Sequence, residues 1–343
     1  WLSVSGSAQG VDLPVFESLV QQTGLAGRIQ DFTASGLNKQ GIVVPASGTL
    51  NADFAAQGEV GSISGGMVAS IDGFSLPPAS AVDLAGEIAL SPSGIEFNRF
   101  TADGPGLAVS GTAAIPQGAR PLVAASVSNT DIGQVLRCIQ AVSPFLPDHT
   151  REKVGSALQN LPRPISGAFD GALLLSGSWG DLDGTAVFNS SALKIREEQL
   201  STVSGDIAIA DGKVLVRRLT AAGEQLRASV TGSTGFGGEL DLDIEASNVN
   251  LAALGPLLGL SSSVSGTADI SAKASGTVEK PILRASVSTS SLKVGDVAVR
   301  LVSAPGITVQ GDKLELGNVA VAGDTFQATV SGTLPFSWSP VGL

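Results

Sequence analysis

The chain has 343 residues, a formal net charge of −11 and only 15% charged residues, well under the globular average of about 25%. It is too apolar to be disordered, and its scattered Lys and Arg give no basic stripe on which nucleic acid could lie. It has no apolar run of the roughly 18 to 20 residues that cross a bilayer as a helix.

Val4-Ser5-Gly6-Ser7 matches the tail of a unit repeated further on, so the chain reads as a fragment that begins inside a repeat. Leu13 to Gln22, with Val15, Leu19 and Val20, is a first helical candidate. From Ser47-Gly48-Thr49 the hydrophobic period becomes two. Leu50, Ala52, Phe54 and Ala56 alternate with Thr49, Asn51, Asp53 and Ala55. Val82, Leu84, Gly86, Ile88 and Leu90 follow the same rule, then Ile95 and Phe97, then Leu107 and Val109. Alternation of this kind marks strands with one apolar face. Turn signals at Asp72-Gly73, Ser93-Gly94, Asp183-Gly184, Asp211-Gly212, Gly237-Gly238 and Gly311-Asp312 punctuate it. Such short breaks join antiparallel neighbours, and their spacing near every ten residues predicts roughly 25 or more strands.

Two segments interrupt the alternation. Between Asp131 and Phe145, Ile132, Val135, Leu136, Ile139 and Val142 recur at helical spacing, with Pro144 as a stop. His149 to Leu161 is a candidate for a second short helix, and Asn250 to Leu260 is the equivalent place in the next unit. Helical insertions are therefore expected at 13–22, 131–161 and 250–260.

Repetition is the dominant signal. Ser166-Gly167 to Gly177 and Ser265-Gly266 to Gly276 match at an offset of 99, as do Ser191-Ala192-Leu193-Lys194-Ile195 and Ser290-Ser291-Leu292-Lys293-Val294. Lys213/Lys313, Gly223/Gly323 and Gly232/Gly332 match at 100, and Asn129/Asn248 at 119. These define cassettes at about 47–112, 166–233 and 265–333 within one elongated array spanning 1–343. Repeats imply stacked units rather than a globule around one active site.

The inventory for catalysis is thin. His149 is the only histidine, so a two-histidine metal site is impossible within the chain, and a Ser-His-Asp triad would rest on that one residue. Ser191-x-x-Lys194 and Ser290-x-x-Lys293 fit an acyl-serine spacing that needs a helix, yet both lie in strand-patterned repeats. Asp181-Leu182-Asp183-Gly184 and Gly235-Phe236-Gly237-Gly238-Glu239 read as turns, since neither supplies the six to eight oxygens calcium takes. Cys138 has no partner for an intrachain disulfide. The expectation is a protein that is not an enzyme and uses no cofactor or metal.

A one-sided apolar meander must close, pair, be covered, or curl into a trough. A continuing cassette and few helices favour the trough, and a lasting apolar surface marks a binding site. Each methylene taken from water gains about 0.8 kcal/mol, so a 16-carbon acyl chain crossing an aqueous gap faces roughly 12 kcal/mol that such a trough removes. The residues expected to line it are Leu50, Phe54, Leu84, Ile88, Leu90, Phe97, Leu173, Leu175, Leu240, Leu242, Ile244, Ile270, Leu314, Leu316, Phe326 and Val330.

The order of motifs Gly266-Thr267-Ala268-Asp269-Ile270-Ser271-Ala272-Lys273-Ala274-Ser275-Gly276-Thr277 with Pro281, Asn248-Val249-Asn250-Leu251 before a leucine-rich stretch, and closing Gly332-Thr333-Leu334-Pro335-Phe336 resembles the repeats of TamB and related AsmA-like proteins, over essentially the whole chain. The resemblance implies a mainly β fold, an antiparallel meander curled into a U-shaped groove (the β-taco) with a few short helices. It implies a bacterial periplasmic protein anchored in the inner membrane by a segment not present here. Its role would be phospholipid movement to the outer membrane and support of outer-membrane assembly, with phospholipids and an Omp85-type protein as partners. The alternative is a secreted β-solenoid adhesin or autotransporter passenger, which shares the acidic Gly/Ser/Ala/Val-rich composition.

Overall fold

The computed structural model describes residues 1–14, 47–59, 62–143 and 165–335. Breaks fall at 179–180, 196–197, 225, 236, 255–263, 279, 295–296 and 324–325, and residues 151, 155 and 158 are also described. The chain divides into two units, Trp1–Trp179 and Gly180–Gly342.

The first unit contains β1 (Leu2–Asp12), β2 (Ser47–Glu59), β3 (Ser62–Ser75), β4 (Val82–Ser91), β5 (Gly94–Gly104), β6 (Leu107–Pro116), β7 (Leu122–Asp131), helix α1 (Ile132–Val142) and β8 (Ile165–Ser178). Each strand pairs antiparallel with the next. The second unit contains β9 (Asp181–Ile195), β10 (Glu198–Ala210), β11 (Lys213–Gly223), β12 (Arg227–Gly235), β13 (Glu239–Asn250), the single turn α2 (Leu251–Leu254), β14 (Val264–Thr277), β15 (Pro281–Val294), β16 (Val297–Val299), β17 (Leu301–Gln310), β18 (Lys313–Ala322) and β19 (Gln327–Pro335). It is also an antiparallel meander, in which β16 and β17 together occupy one side of β15. No register joins β1 to β8 or β9 to β19 among the described residues, so neither meander is closed. The mainly β, antiparallel, open architecture expected from the alternation is what forms. A solenoid would instead stack its strands in parallel.

Nineteen strands lie among the described residues, fewer than the turn spacing predicted, because strands run to 15 residues. Two supposed turns contribute to the discrepancy. Asp183-Gly184 lies inside β9, and Asp72-Gly73 is a bulge that β3 passes through, since the β3–β4 register shifts between Ile71 and Phe74. Ser93-Gly94, Asp211-Gly212 and Gly311-Asp312 do sit at hairpins. Of the expected helices, α1 forms with Asp131 as N-cap, its side chain accepting from the Gln134 N–H at 2.9 Å. The 250–260 helix is seen as α2 alone. Residues 15–22, 149–150, 255–260 and most of 152–161 lie outside the described residues.

The registers resolve the mixed repeat offsets. The pairs Phe54–Gly6, Met67–Ile88 and Phe100–Gly111 recur 119 residues later as Leu173–Ala125, Ala186–Ile207 and Leu219–Val230. The Leu219–Val230 pair recurs a further 100 residues on as Val319–Val330. The offset shortens because 13 residues (251–263) separate β13 from β14, against 33 (132–164) between β7 and β8. The cassette is thus a strand, an insertion and five more strands, with β16 and β17 counting as one, beginning at β1, β7 and β13.

Each cassette's first strand ends in the same bulge. The left-handed residue there is Gly10 (φ 64), Asn129 (φ 44) or Asn248 (φ 60), and its N–H donates to an Asx side chain on the next strand: Asn51 at 2.8 Å, Asp170 at 2.8 Å and Asp269 at 3.0 Å. Gly and Asn are the residue types that adopt this conformation at low cost. Gly73 (φ 62) repeats the device with Asp83 at 2.8 Å. Bulges bend and twist the strands that carry them. The few buried apolar side chains, among them Leu76, Val82, Leu107, Leu193, Leu200, Ala268 and Ala304, are dispersed rather than gathered into one core.

Candidate functional site

Residues directly opposed in an antiparallel pair share a face, so the registers assign the two faces of each meander. In the first unit an unbroken row runs Phe54, Met67, Ile88, Phe97, Ala113, Val123, Leu175. A second runs Ala8, Ala52, Ala69, Gly86, Phe100, Gly111, Ala125, Leu173, and a third Val11, Leu50, Ile71, Leu84, Ala102, Val109, Val127, Gly171. Leu90 stands between Gly65 and Ile95 in a fourth. None of these positions is polar.

The second unit repeats the pattern. One row runs Ala186, Ile207, Val216, Gly232, Leu242, Ala274, Leu283, Val309, Leu314, Leu334. The next runs Phe188, Gly205, Leu219, Val230, Ile244, Ala272, Ala285, Ile307, Leu316, Gly332. Ile270 lies between Ala246 and Val287, Leu240 opposes Thr234 and Gly276, and Val330 opposes Val319. Ser190, Thr234 and Thr289 are hydroxyls that enter this face, and Ser190 and Thr289 are buried.

Within each unit, then, the expected lining residues fall on one face: Leu50, Phe54, Leu84, Ile88, Leu90, Phe97, Leu173 and Leu175 in the first, and Leu240, Leu242, Ile244, Ile270, Leu314, Leu316 and Val330 in the second. Phe326 precedes β19 and packs its ring over Gly323. Most of these side chains are half-buried, and Phe54 (43%), Leu90 (41%) and Val330 (49%) are exposed.

Phe100, Leu219 and Val319 are further lining residues that the list drawn from the sequence leaves out, although Val319 follows its alternating apolar pattern. Each lies three residues after an apolar-face residue, a spacing that strict alternation sends to the opposite face. A bulge between Phe97 and Phe100, Val216 and Leu219, and Leu316 and Val319 returns them to the apolar face. The recurrence of this apolar-x-x-apolar spacing in all three cassettes was the available signal.

The rings lie flat over glycines. A Cβ on Gly6 would come within 2.8 Å of Phe54 Cζ and one on Gly111 within 2.5 Å of Phe100 Cζ, and Phe188 covers Gly205 in the same way. Glycine leaves room for the ring over the neighbouring strand and keeps the face low in relief.

Charge sits on the opposite face. Glu87 opposes Arg99, Asp206 opposes Arg218, and Lys273 stands between Asp243 and Arg284. Lys273 Nζ reaches Asp241 at 2.9 Å and Asp243 at 3.5 Å, and its pKa is raised by the hydrogen bond and charge of Asp241, then by Asp243. One shallow depression on this face is lined by Asn51, Asp53, Ser70, Glu87 and Arg99 together with Val68 and Ala85. Burial pushes the Cys138 thiol up, which Arg137 partly offsets, so it is a poor nucleophile. Ser191 and Lys194 lie in β9, and Ser290 and Lys293 in β15, not on helices. No group of three metal-ligating side chains occurs among the described residues, and none of their helices is long and apolar enough to cross a membrane. No family model, characterised protein or solved structure matches the chain.

Proposed function

We propose that the apolar face of each meander holds the acyl chains of phospholipids, and that the chain is a non-enzymatic segment of a TamB-like bridge. In this reading the sheet curls around its apolar face and conducts lipid across the bacterial periplasm between the inner and outer membranes. An inner-membrane anchor and an Omp85-type partner act through other regions. The observation that carries the proposal is the set of uninterrupted apolar rows, seven to ten residues wide, whose members remain partly open to solvent. A face of that extent left to water is unfavourable at about 25 cal/mol per Å², and acyl chains relieve it without demanding a specific pocket. The rows offer no charge to a headgroup, which therefore stays in water. Small aliphatic side chains and rings laid flat over glycine let a chain slide rather than lodge.

The test is site-specific photo-crosslinking in growing cells. A crosslinking residue at Leu316 captures phospholipid, whereas the same residue at the adjacent Glu315, on the polar face, does not. Equal capture at the two positions, or none at Leu316, contradicts the proposal.

A further inference from the structure

The apolar face is closed at one end of its strands and open at the other. In the first unit β4 runs from Val82, 8% exposed, to Leu90, 41% exposed, and β6 from Leu107 (9%) to Ile115 (48%). All four lie on the apolar face. Val82 stands two residues before Leu84 and Leu107 two before Val109, while Leu90 and Ile115 both oppose Ile95. The protein itself covers the Val82–Leu107 end. Helix α1 leaves β7 there and packs on β7 and β8, and Leu76, in the connection from β3 to β4, is buried. Thr130, whose hydroxyl accepts from the Ala108 N–H at 3.2 Å, is fully buried, as is Gln134 of α1. A Cβ on Gly104 would stand 2.7 Å from Val82 Cγ1 and 2.9 Å from the Ala81 carbonyl oxygen, so the same connection packs against β5.

The opposite end consists of the short connections from β2 to β3, β4 to β5 and β6 to β7. Ile63, Leu90 and Ile115 remain exposed there, bordered by exposed Glu59, Ser62, Ser91, Ser93 and Arg120. The second unit shows the same gradient. Leu193, Leu200 and Val299 are buried at the end where α2 leaves β13, whereas Leu240, Leu283 and Leu314 near the turn end are half-buried.

We propose that a phospholipid in the first unit places its headgroup at the turn end and directs its acyl chains inward toward the Leu84–Val109 row. It then enters and leaves sideways across the border formed by Ile63, Leu90 and Ile115. This orientation rests on the phospholipid reading of the apolar face and adds a direction to it. Side chains already covered by the protein offer a ligand no further apolar surface. At the turn end, by contrast, each Å² that an acyl chain covers returns about 25 cal/mol. A charged headgroup has to keep its water. The packed α1 end denies it that water, and the polar border of the turn end supplies it.

Photo-crosslinking of the purified chain with two lipids tests the orientation. One is phosphatidylethanolamine carrying a diazirine on its headgroup, and the other is the same lipid carrying it at the end of an acyl chain. Peptide mass spectrometry locates the adducts. The headgroup probe is expected to label residues 59–63, 90–96 and 115–122 several-fold more than 74–84 and 101–109, and the acyl-end probe to show the reverse preference. A headgroup probe that labels the α1 end as much as the turn end, or more, overturns the orientation while leaving lipid binding in place. Absence of adducts from both probes overturns the phospholipid reading and the orientation with it.

Discussion

Across β4 and β5 the polar face carries Asp83, Glu87, Glu96 and Asp103 with Arg99 as their cation, whereas across β12 to β15 Arg227, Lys273 and Arg284 are interleaved with Asp241, Asp243, Glu245 and Asp269. The apolar face varies far less from cassette to cassette. Phe100–Gly111, Leu219–Val230 and Val319–Val330 are one position in three cassettes, and each remains apolar. Charge on one face is free to change because exposed pairs contribute little to stability. The other face is held to small, aliphatic or aromatic residues although much of it is not buried, so packing alone does not account for the constraint.

The sharpest way to break this contrast is to fill a glycine beneath a ring. Gly111→Val drives a side chain into Phe100 and the Ala124 carbonyl, and about 3 kcal/mol of stability is expected to go in urea unfolding. A loss under about 0.5 kcal/mol removes the close approach from the account. Next, Ile88→Asp on the apolar face is expected to weaken binding of a fluorescent acyl probe about tenfold or more, with Ser70→Asp on the polar face near wild type. Similar effects at the two sites erase the distinction between the faces.

A smaller effect attaches to two buried hydroxyls that bond backbone in the same way. Thr130 Oγ1 donates to the Ala108 carbonyl (3.2 Å) or that of Ser128 (3.1 Å), and Thr289 Oγ1 to that of Thr267 (2.5 Å). Both threonines are buried. Thr130→Val and Thr289→Val should each lower stability by about 1 kcal/mol in urea unfolding, and no loss at either site argues against the hydrogen bond there contributing. The smallest effect belongs to Lys273, exposed beside its aspartates. Lys273→Ala should leave the urea midpoint unchanged within error at neutral pH. Because its pKa is raised in the fold, whatever it adds is present below the ordinary lysine value and disappears as pH rises through the raised one. Wild type and variant therefore converge in strong alkali, and divergence there would show that another group titrates.

Much of this was legible in the sequence because a strand's period is two and the polar residues kept to it. Leu240, Leu242 and Ile244 between Asp241, Asp243 and Glu245 announce their faces directly. What was not legible came from departures from that period. Phe97 and Phe100 share a face only because a bulge adds a residue, and Asp72-Gly73 has the composition of a hairpin yet forms a bulge locked by Asp83. The true cassette length was obscured by the short insertion before β14, which turned 119 into 99. Asn129 and Asn248 carried the correct offset, but their partner in the first cassette is Gly10, a different residue serving the same backbone geometry.

The central claim is that the apolar rows hold acyl chains. Native mass spectrometry of the chain purified from membranes under mild conditions tests it most directly. Several phospholipids bound per chain, lost in Leu316→Asp and retained in Glu315→Lys, is the predicted result. A folded wild type that emerges free of lipid, or lipid retained equally by both variants, contradicts it.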